Sequence, residues 1–401
     1  MMAGAQEDDR VGRVLHIMRL PMGGLFRHVR DLVMGQQAAG IAAGVVCAEP
    51  VNDGISARQL SDLEHYCGLG LHVLPISRLP GIGDVANIRE VGGLVRKLKP
   101  CVLHGHGAKG GLLARLVPAQ RRTLRVYTPH GGSLHYKAAS LEGFVYHGVE
   151  RLLRARTDGL VFESAFSRDA YISKIGSPSG EATVIHNGIS EAEFEPVSPD
   201  PTAADFLFIG ELRRLKGVST LIEAASLMAQ PVHIRIVGAG PDRSHFEEMS
   251  RQAGESVRIE FLGAMPARDA FRLARVVVMP SWAESFPYVV LEAAAAGLPL
   301  IATRVGGIPE IFGPAASRLV PPGDAVALAA AMTSSLAEPD AMAVEAASLR
   351  LHVGEHFSVT QMVSRIDEFY AHLAARPRSS ADAAAESRLA QGKAGLTGAE
   401  H

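Results

Sequence analysis

The chain has 401 residues, of which 47% are hydrophobic and 20% are charged. This length exceeds the roughly 250–300 residues at which a single core stops growing, so it predicts two domains, and the apolar content excludes a chain that is disordered throughout. The 40 Lys and Arg residues nearly balance the 42 Asp and Glu residues, which excludes a dedicated nucleic-acid-binding protein, because that class carries a strong basic excess.

The cysteines and the N-terminus favour a cytoplasmic protein. Cys47, Cys67 and Cys101 follow no zinc-binding spacing, and no Asp-x-Asp occurs, so no tightly bound metal is expected. The first ten residues are polar and acidic, unlike a signal peptide. No apolar run reaches the roughly 18 residues that a membrane span requires, which leaves a peripheral contact with a membrane surface open.

Short aliphatic runs alternate with longer helical patterns through residues 13–190. This repetition of strand, turn and helix is typical of βαβ units and predicts a parallel sheet. The predicted strands cover residues 14–18, 42–47, 71–74, 102–104, 124–128, 159–162 and 183–185, and the predicted helices cover 25–39, 85–98, 109–116 and 141–154.

Residues 191–204 contain three prolines and little periodicity, so they predict a linker. A second series of alternating elements follows. Its predicted strands cover 206–209, 232–237, 259–262, 276–279, 299–302 and 319–320, and its predicted helices cover 218–228, 244–253, 268–274, 287–296 and 325–336. The chain is therefore expected to be an α/β protein whose two doubly wound, Rossmann-like domains, residues 13–190 and 205–359, face each other across a cleft.

An amphipathic helix is predicted over residues 360–375, as a crossover element that follows the second domain. The polar residues 1–12 and the Ala-, Ser- and Gly-rich residues 376–401 are expected to be disordered, because neither segment carries enough apolar surface to pack.

The strongest chemical signal surrounds Glu284, in a loop between a predicted strand and a predicted helix. The amides of Ser285 and Phe286 lie at the positive end of that helix, which attracts phosphate groups or sugar hydroxyls. Glu292 follows about two turns into the helix, so the two carboxylates can accept hydrogen bonds from different hydroxyls of one extended ligand. The same spacing is also typical of an ordinary helix with a surface glutamate.

A second signal is the loop that carries Arg213, Arg214 and Lys216 between a strand and a helix. Cations at such a junction suit a diphosphate, although a solvated basic turn has the same composition. In the other half of the chain, Gly24 and the glycine before it allow close backbone approach to a ligand. His130 follows a strand and should point into the cleft, where it is either a structural residue or part of a sugar-binding or proton-handling site.

Together these residues resemble the retaining glycosyltransferases of family 4, also called group 1, which have the GT-B architecture. The most specific part is the pair Glu284 and Glu292, which matches the family's E-x7-E motif. Three further segments fit the family in order and spacing: residues 186–189, 210–217 and 306–310.

The resemblance implies a role for each of these residues. Glu284, Lys216 and His130 would act in catalysis, with His130 near the reacting carbon of the sugar. The nucleoside-diphosphate sugar would be bound by seven residues: Gly24, Arg213, Arg214, Lys216, Ser285, Phe286 and Glu292. One position departs from the family, because Glu211 stands where an arginine is usual, so Arg213 or Arg214 would have to supply that charge.

The activity implied is retaining hexosyl transfer to a sugar, polysaccharide or lipid-linked acceptor, in the synthesis of a cell-surface polysaccharide or glycolipid, without a tightly bound cofactor. A sugar-nucleotide epimerase and a non-catalytic sugar-nucleotide-binding protein are the alternatives on the same fold. Residues 143–156 mix apolar side chains with three arginines. That pattern is typical of an ordinary domain helix and also of a helix that rests on an anionic membrane.

Overall fold

The computed structural model of the chain describes residues 11–50, 55–79, 81–120, 122–135 and 140–376. Residues 1–10 and 377–401, where the sequence predicts disorder, lie outside these ranges.

Within the described residues, the first sheet has seven parallel strands. The strands are β1 (Arg13–Ile17), β2 (Ala42–Cys47), β3 (Leu71–Val73), β4 (Val102–His106), β5 (Leu124–Thr128), β6 (Gly159–Phe162) and β7 (Glu181–Val184), and the helices between them are α1 (Gly23–Ala38), α2 (Ile55–Glu64), α3 (Gly83–Leu98), α4 (Gly107–Leu116), α5 (Leu141–Leu153) and α6 (Ala165–Lys174). The strand order is β3-β2-β1-β4-β5-β6-β7. The direction of winding reverses between β1 and β4, and crevices for ligands form at such switch points.

The second sheet has five parallel strands in the described part of the chain, in the order β10-β9-β8-β11-β12. The strands are β8 (Ala204–Ile209), β9 (Val232–Val237), β10 (Val257–Gly263), β11 (Ala274–Met279) and β12 (Leu300–Ala302), and the helices are α7 (Val218–Leu227), α8 (Arg243–Arg251), α9 (Ala267–Ala270), α10 (Tyr288–Ala295), α11 (Ile308–Phe312), α12 (Ala325–Ala337) and α13 (Pro339–His356). Its switch point lies between β8 and β11, so the loops that follow these two strands share one crevice.

Strand β8 shows why these segments are almost continuously apolar. Phe206 and Phe208 pack into the cluster on one face of the sheet, and Leu207 and Ile209 pack into the cluster on the other face. Successive side chains of a strand point to opposite faces, and helices cover both faces of a parallel sheet. Every position of β8 except Asp205 is therefore buried.

The last helix, α14 (Val359–Ala375), returns to the first sheet and its helices, here called the first domain. Met362, Ile366 and Tyr370 are buried in one cluster with Val14 and Leu32 of the first domain. These positions recur every four residues along α14, so they form the single apolar face that the sequence predicts for this helix. The C-terminal helix thus completes the core of the N-terminal half of the chain.

The expected α/β class with parallel sheets is confirmed, and several local expectations need correction. Helices α2, α6, α11 and α13 were not predicted from the sequence. The strand predicted at 319–320 is an isolated bridge between Thr303 and Val320. The predicted linker begins with a 3-10 helix, Glu191–Phe194, and its last residue, Ala204, already belongs to β8.

Candidate active site

Lys216 and Glu284 form a direct ion pair at the switch point of the second sheet. Lys216 ends the loop after β8, and Glu284 lies in the loop after β11. Lys216 Nζ donates to Glu284 Oε1 at 2.7 Å and to Oε2 at 2.9 Å, and Ser281 Oγ donates to Oε1 at 2.8 Å. The Glu284 side chain is only 8% exposed and the Lys216 side chain is 21% exposed. The pair therefore lies at the wall of the crevice, where the lysine still reaches solvent.

Two glycines bring these loops together. Gly217 has φ +70°, and a Cβ at this position would lie 1.9 Å from the carbonyl oxygen of Pro280. Gly306 has φ +58°, and a Cβ there would lie 1.9 Å from the carbonyl oxygen of Glu284. Any other residue at either position would push the loops apart, because backbone and side chain cannot approach this closely. The glycines in the 210–217 and 306–310 segments thus position the ion pair.

The two arginines of the loop after β8 lie at its exposed rim. Arg213 Nη1 lies 3.6 Å from Glu211 Oε2, and both side chains are more than 40% exposed. Arg214 is exposed, and its amide donates to Asp242 Oδ2 at 2.8 Å. Among the described residues, neither guanidinium pairs with Glu284. Glu211 therefore draws Arg213 to itself and leaves Arg214 as the more available cation of the loop.

The loop after Glu284 leads into helix α10, which begins at Tyr288 directly after Pro287. The carbonyl of Ser285 accepts from the Gly307 amide at 2.7 Å, and the carbonyl of Phe286 accepts from Asn187 Nδ2 at 3.1 Å. The first amides of a helix have no acceptor inside the helix. The N-terminus of α10 therefore provides hydrogen-bond donors and a positive dipole beside the ion pair.

Glu292 takes part in a second ionic contact, with Arg27 of α1. The Arg27 guanidinium donates to Glu292 and, at 2.6 Å, to Glu193 Oε2, and it lies 4.5 Å from the centre of the Tyr288 ring. Burial raises the pKa of Glu292, and the positive charge of Arg27 opposes that shift. Gly24 lies at the same interface, since a Cβ there would be 3.2 Å from the Tyr288 ring. These contacts join the first domain to α10.

Five histidines of the first domain meet behind the crevice: His16, His28, His104, His106 and His130. His106 Nδ1 lies 3.1 Å from His130 Nε2, and the rings of His28 and His130 are 4.8 Å apart. Burial lowers the pKa of all five, so they are neutral at pH 7. Two groups of three have ring nitrogens within 4.8 Å of one another. Local spacing in the sequence does not reveal these groups, because the residues come from β1, α1, β4 and the loop after β5.

Two of the segments that resemble the family, residues 186–189 and 306–310, also connect the two halves of the chain. His28 Nδ1 lies 2.9 Å from Asn187 Oδ1, and Asn187 in turn bonds the Phe286 carbonyl, so the histidines are linked to the loop after Glu284. The carboxylate of Glu310 accepts from the amides of Ala165 and Phe166 at 2.8 Å and 3.0 Å, at the N-terminus of α6. The segments 186–189 and 306–310 therefore fix how the halves of the chain meet.

Comparison with known proteins assigns the family. Residues 23–188 match the family model described as "Glycosyl transferase 4-like domain", and residues 203–338 match "Glycosyl transferases group 1". The chain is 27% identical to a glycogen synthase of Mycobacterium tuberculosis, over 87% of this chain and 91% of that protein. It is 30% identical to the EpsD protein of Bacillus subtilis, over 60% of this chain and 68% of that protein.

The chain is a group 1 glycosyltransferase.

The fold of this glycosyltransferase is GT-B, as the sequence predicts. A sucrose-phosphate synthase of Thermosynechococcus elongatus superimposes with a TM-score of 0.76 at 22% identity, over 90% of this chain and 99% of that one. HepE of Anabaena in complex with UDP-glucose gives 0.75 at 18% identity, over the same shares of the two chains.

The glycosyltransferase brings its predicted site residues into three neighbouring groups. Lys216, Glu284, Ser285 and Phe286 lie together, Gly24 and Glu292 share the interface around Tyr288, and His130 lies in the histidine cluster. Arg27, Asn187 and His28 connect these groups; Asn187 lies in the segment 186–189 that resembles the family, but no connecting role was predicted for any of the three. Arg27 carried a signal, since it follows Gly24 by three residues, but its partner is 265 positions away.

Among the helices that the structure describes, none has both the length and the apolar content needed to cross a bilayer.

Proposed function

We propose that this glycosyltransferase moves a hexosyl group from a nucleoside-diphosphate sugar to a hydroxyl of a sugar, polysaccharide or lipid-linked acceptor, with retention of configuration. The observation that carries this proposal is the pair of Lys216 with both oxygens of Glu284. A bound diphosphate offers Lys216 an alternative anionic partner. The oxygens of Glu284 then accept hydrogen bonds from the hydroxyls of the sugar.

Cleavage of the anomeric bond leaves positive charge on the sugar ring and additional negative charge on the diphosphate. Lys216 and the first amides of α10 are positioned to stabilise that leaving group, which is the largest contribution expected in such a site. Arg214 is the available second cation, since Arg213 pairs with Glu211. His130 contacts the sugar from the first domain. One carboxylate oxygen of Glu292 is bonded by Arg27, and the other contacts the ribose.

The shared GT-B fold suggests a donor to test. HepE, which shares the fold, binds UDP-glucose, so UDP-glucose is the first donor to test. The proposed pathway is the synthesis of a cell-surface polysaccharide or glycolipid, with the enzyme in the cytoplasm. Residues around the crevice supply the donor contacts in this proposal, and no resident cofactor takes part.

Helix α5 supports a peripheral contact with an anionic membrane. Five apolar side chains follow one another at helical spacing and are exposed: Leu141, Phe144, Val145, Val149 and Leu152. Leu141 and Leu152 are 77% exposed and Phe144 is 72% exposed. An apolar stripe flanked by arginines is typical of helices that lie in the membrane interface. We propose that this face brings the enzyme to a lipid-linked acceptor.

The central test uses the variants Lys216→Ala and Glu284→Gln. Each should lower kcat/KM for sugar transfer by roughly 10²–10³, because each removes an electrostatic contact to the reacting groups. Release of nucleoside diphosphate and formation of the glycosylated product are measured with UDP-, GDP- and ADP-sugars, after a thermal-shift screen has identified the donor that stabilises the protein.

Arg251→Ala and Glu248→Gln on the exposed helix α8 are the matched controls and should leave turnover unchanged. Turnover within twofold of the native rate in either site variant contradicts the proposed site. An epimerase would convert the donor without an acceptor, and a non-catalytic binder would be stabilised by the donor without forming product. Nucleoside diphosphate that is released only when an acceptor is present identifies the transferase.

A further inference from the structure

A continuous line of hydrogen bonds runs from α14 through the first-domain core to His130. Gln36 Nε2 donates to Asp367 Oδ1 at 2.9 Å, and Gln36 Oε1 lies 2.8 Å from His16 Nε2. His16 Nδ1 lies 3.0 Å from His106 Nε2. His106 Nδ1 then lies 3.1 Å from His130 Nε2. Four hydrogen bonds therefore connect a carboxylate on the last helix to the histidine nearest the crevice.

The carboxylate sets the direction of every bond in this line. An ionised carboxylate only accepts hydrogen bonds, so the amide nitrogen of Gln36 donates to Asp367. The amide oxygen of Gln36 therefore faces His16. His16 must then carry its proton on Nε2 and accept at Nδ1. The same logic places the proton of His106 on Nε2 and the proton of His130 on Nε2, so Nδ1 of His130 carries a lone pair.

The surroundings keep each ring singly protonated, as this arrangement requires. His16 and His106 are almost completely buried, and burial lowers the pKa of His16 to about 4 and holds the pKa of His106 and His130 well below the usual value. Burial also raises the pKa of Asp367 to about 6, which leaves it ionised at pH 7.5. No other described residue bonds Nδ1 of His130.

We propose that Asp367 is a positioning residue that acts through Gln36, His16 and His106 to fix the tautomer of His130. His130 then presents a hydrogen-bond acceptor to a hydroxyl of the donor sugar; this inference rests on the proposed function. The left-handed backbone of His130, with φ +50°, aims its ring at His106. If the Gln36 amide were turned around, every bond in the line would reverse, and His130 would present an N–H instead.

The other two histidines of the cluster stand outside this line and have their own partners. His104 bonds the hydroxyls of Tyr370 at 2.5 Å and Thr128 at 2.8 Å, and His28 bonds Asn187. Of the four ring nitrogens of these two histidines, His28 Nε2 alone has no partner among the described residues. A metal ion bound there is the competing explanation, and the experiment has to separate the two.

Long-range ¹H–¹⁵N spectra of the full chain with ¹⁵N-labelled histidine, recorded at pH 7.5, report the tautomer directly. The His130 signals are assigned by their loss in His130→Gln. We expect a protonated Nε2 and an unprotonated Nδ1. Asp367→Asn should shift His130 toward a mixture of tautomers, because an amide at this position can bond either orientation of Gln36. Gln36→Glu should keep the native tautomer, since its carboxylate still accepts from His16.

Glu368→Gln, the same charge change on the neighbouring exposed residue of α14, is the matched control and should leave the spectrum unchanged. A protonated Nδ1 in the native protein, or an unchanged spectrum in Asp367→Asn, overturns the proposal. One equivalent of divalent metal in the purified protein, with histidine signals that move when it is chelated, also overturns it.

Kinetics test the consequence for transfer. Asp367→Asn should lower kcat roughly tenfold, about the effect of one hydrogen bond, while KM for the nucleotide sugar stays within twofold because Lys216 and Glu284 are intact. A changed tautomer with native kcat overturns the positioning role. Native turnover in Lys216→Ala contradicts the proposed function instead and leaves the tautomer result standing, so the two failures are distinguishable.

Discussion

Arg27 shows how one side chain couples groups that are far apart in sequence. Its guanidinium bonds a carboxylate of α10 and a carboxylate of the linker, and its Nε lies 3.4 Å from Asp31 Oδ2 on its own helix. A planar guanidinium presents five N–H donors in a fixed fork, so it can serve several carboxylates at once in a defined geometry. Burial raises the pKa of Glu292, and Arg27 gives this carboxyl group a positively charged partner that opposes the shift.

Arg27→Ala should lower the free energy of unfolding by about 3 kcal/mol, because it leaves buried carboxylates without a counter-charge. Arg27→Lys should recover part of the loss. Arg30→Ala, on the same helix with a side chain that is 32% exposed, is the matched control and should cost less than about 1 kcal/mol. Urea denaturation measures all three, and equal stability of Arg27→Ala and Arg30→Ala would refute the buried contact.

Glu163, at the end of β6, gives a prediction about pH. It is 2% exposed, and burial raises its pKa to about 7. The folded protein therefore binds a proton at this site more tightly than the unfolded chain does. The resulting stability is fully present below about pH 4.5 and is lost as the pH rises through 7.

Glu163→Gln removes this loss, so at pH 8 the variant should be more stable than the native protein by about 3 kcal/mol. At pH 4.5 the advantage should disappear. Urea denaturation at both pH values measures the difference, with exposed Glu255→Gln as the control. A constant difference between the two pH values would mean that the carboxyl group of Glu163 is ionised throughout.

At the scale of single residues, the sequence was informative about loops and silent about long-range partners. Lys216 and Glu284 could be found because each lies in a loop between a strand and a helix, and parallel strands place such loops at one edge of a sheet. The partnership of Arg27 with Glu292, and the line from His16 to Asp367, depend on how helices dock. No local pattern specifies that docking.

Among the elements, strands were easier to predict than helices with weak amphipathicity. The central strands are short and mostly apolar, as β8 and β11 show, because both faces of the sheet are covered there. Helix α13 buries Ala346, Leu349 and Val353 but exposes Val344 and Leu351, so its apolar residues form no single stripe. Periodicity detects a helix by its stripe, which explains why α14 was predicted and α13 was not.

The exposed stripe of α5 can be tested without affecting the core. The double variant Phe144→Asp and Leu152→Asp should abolish sedimentation with vesicles of phosphatidylglycerol and phosphatidylcholine, since charged groups resist entry into the membrane interface. Its thermal stability should stay close to native because both side chains are exposed.

Leu351→Asp on α13, where the side chain is 70% exposed, is the matched control and should still bind the vesicles. Binding that persists in the α5 variant, or that is equally weak in both proteins, argues against α5 as the membrane contact. Vesicles of phosphatidylcholine alone should bind weakly, because the arginines near α5 then lack anionic partners.

For the whole molecule, several polar contacts join the two halves of the chain. Asn187 and Glu310 each bond backbone groups across the interface, and Arg27 bonds Glu292. Interfaces of this polar kind are typical of domains that move relative to each other. A donor that enters the crevice has to compete with some of these contacts, so we expect opening and closing of the domains to accompany each turnover.

The position of α14 has a consequence for how the protein is made. The ribosome releases β1–β7 first, yet the apolar surface around Val14 and Leu32 is packed against residues of α14, among them Met362, Ile366 and Tyr370, which are translated much later. The N-terminal half must therefore wait, incompletely folded, until the whole second domain has been translated. During that interval it exposes an apolar surface that a chaperone can bind. A premature stop before α14 would leave that surface uncovered permanently and would also remove Asp367.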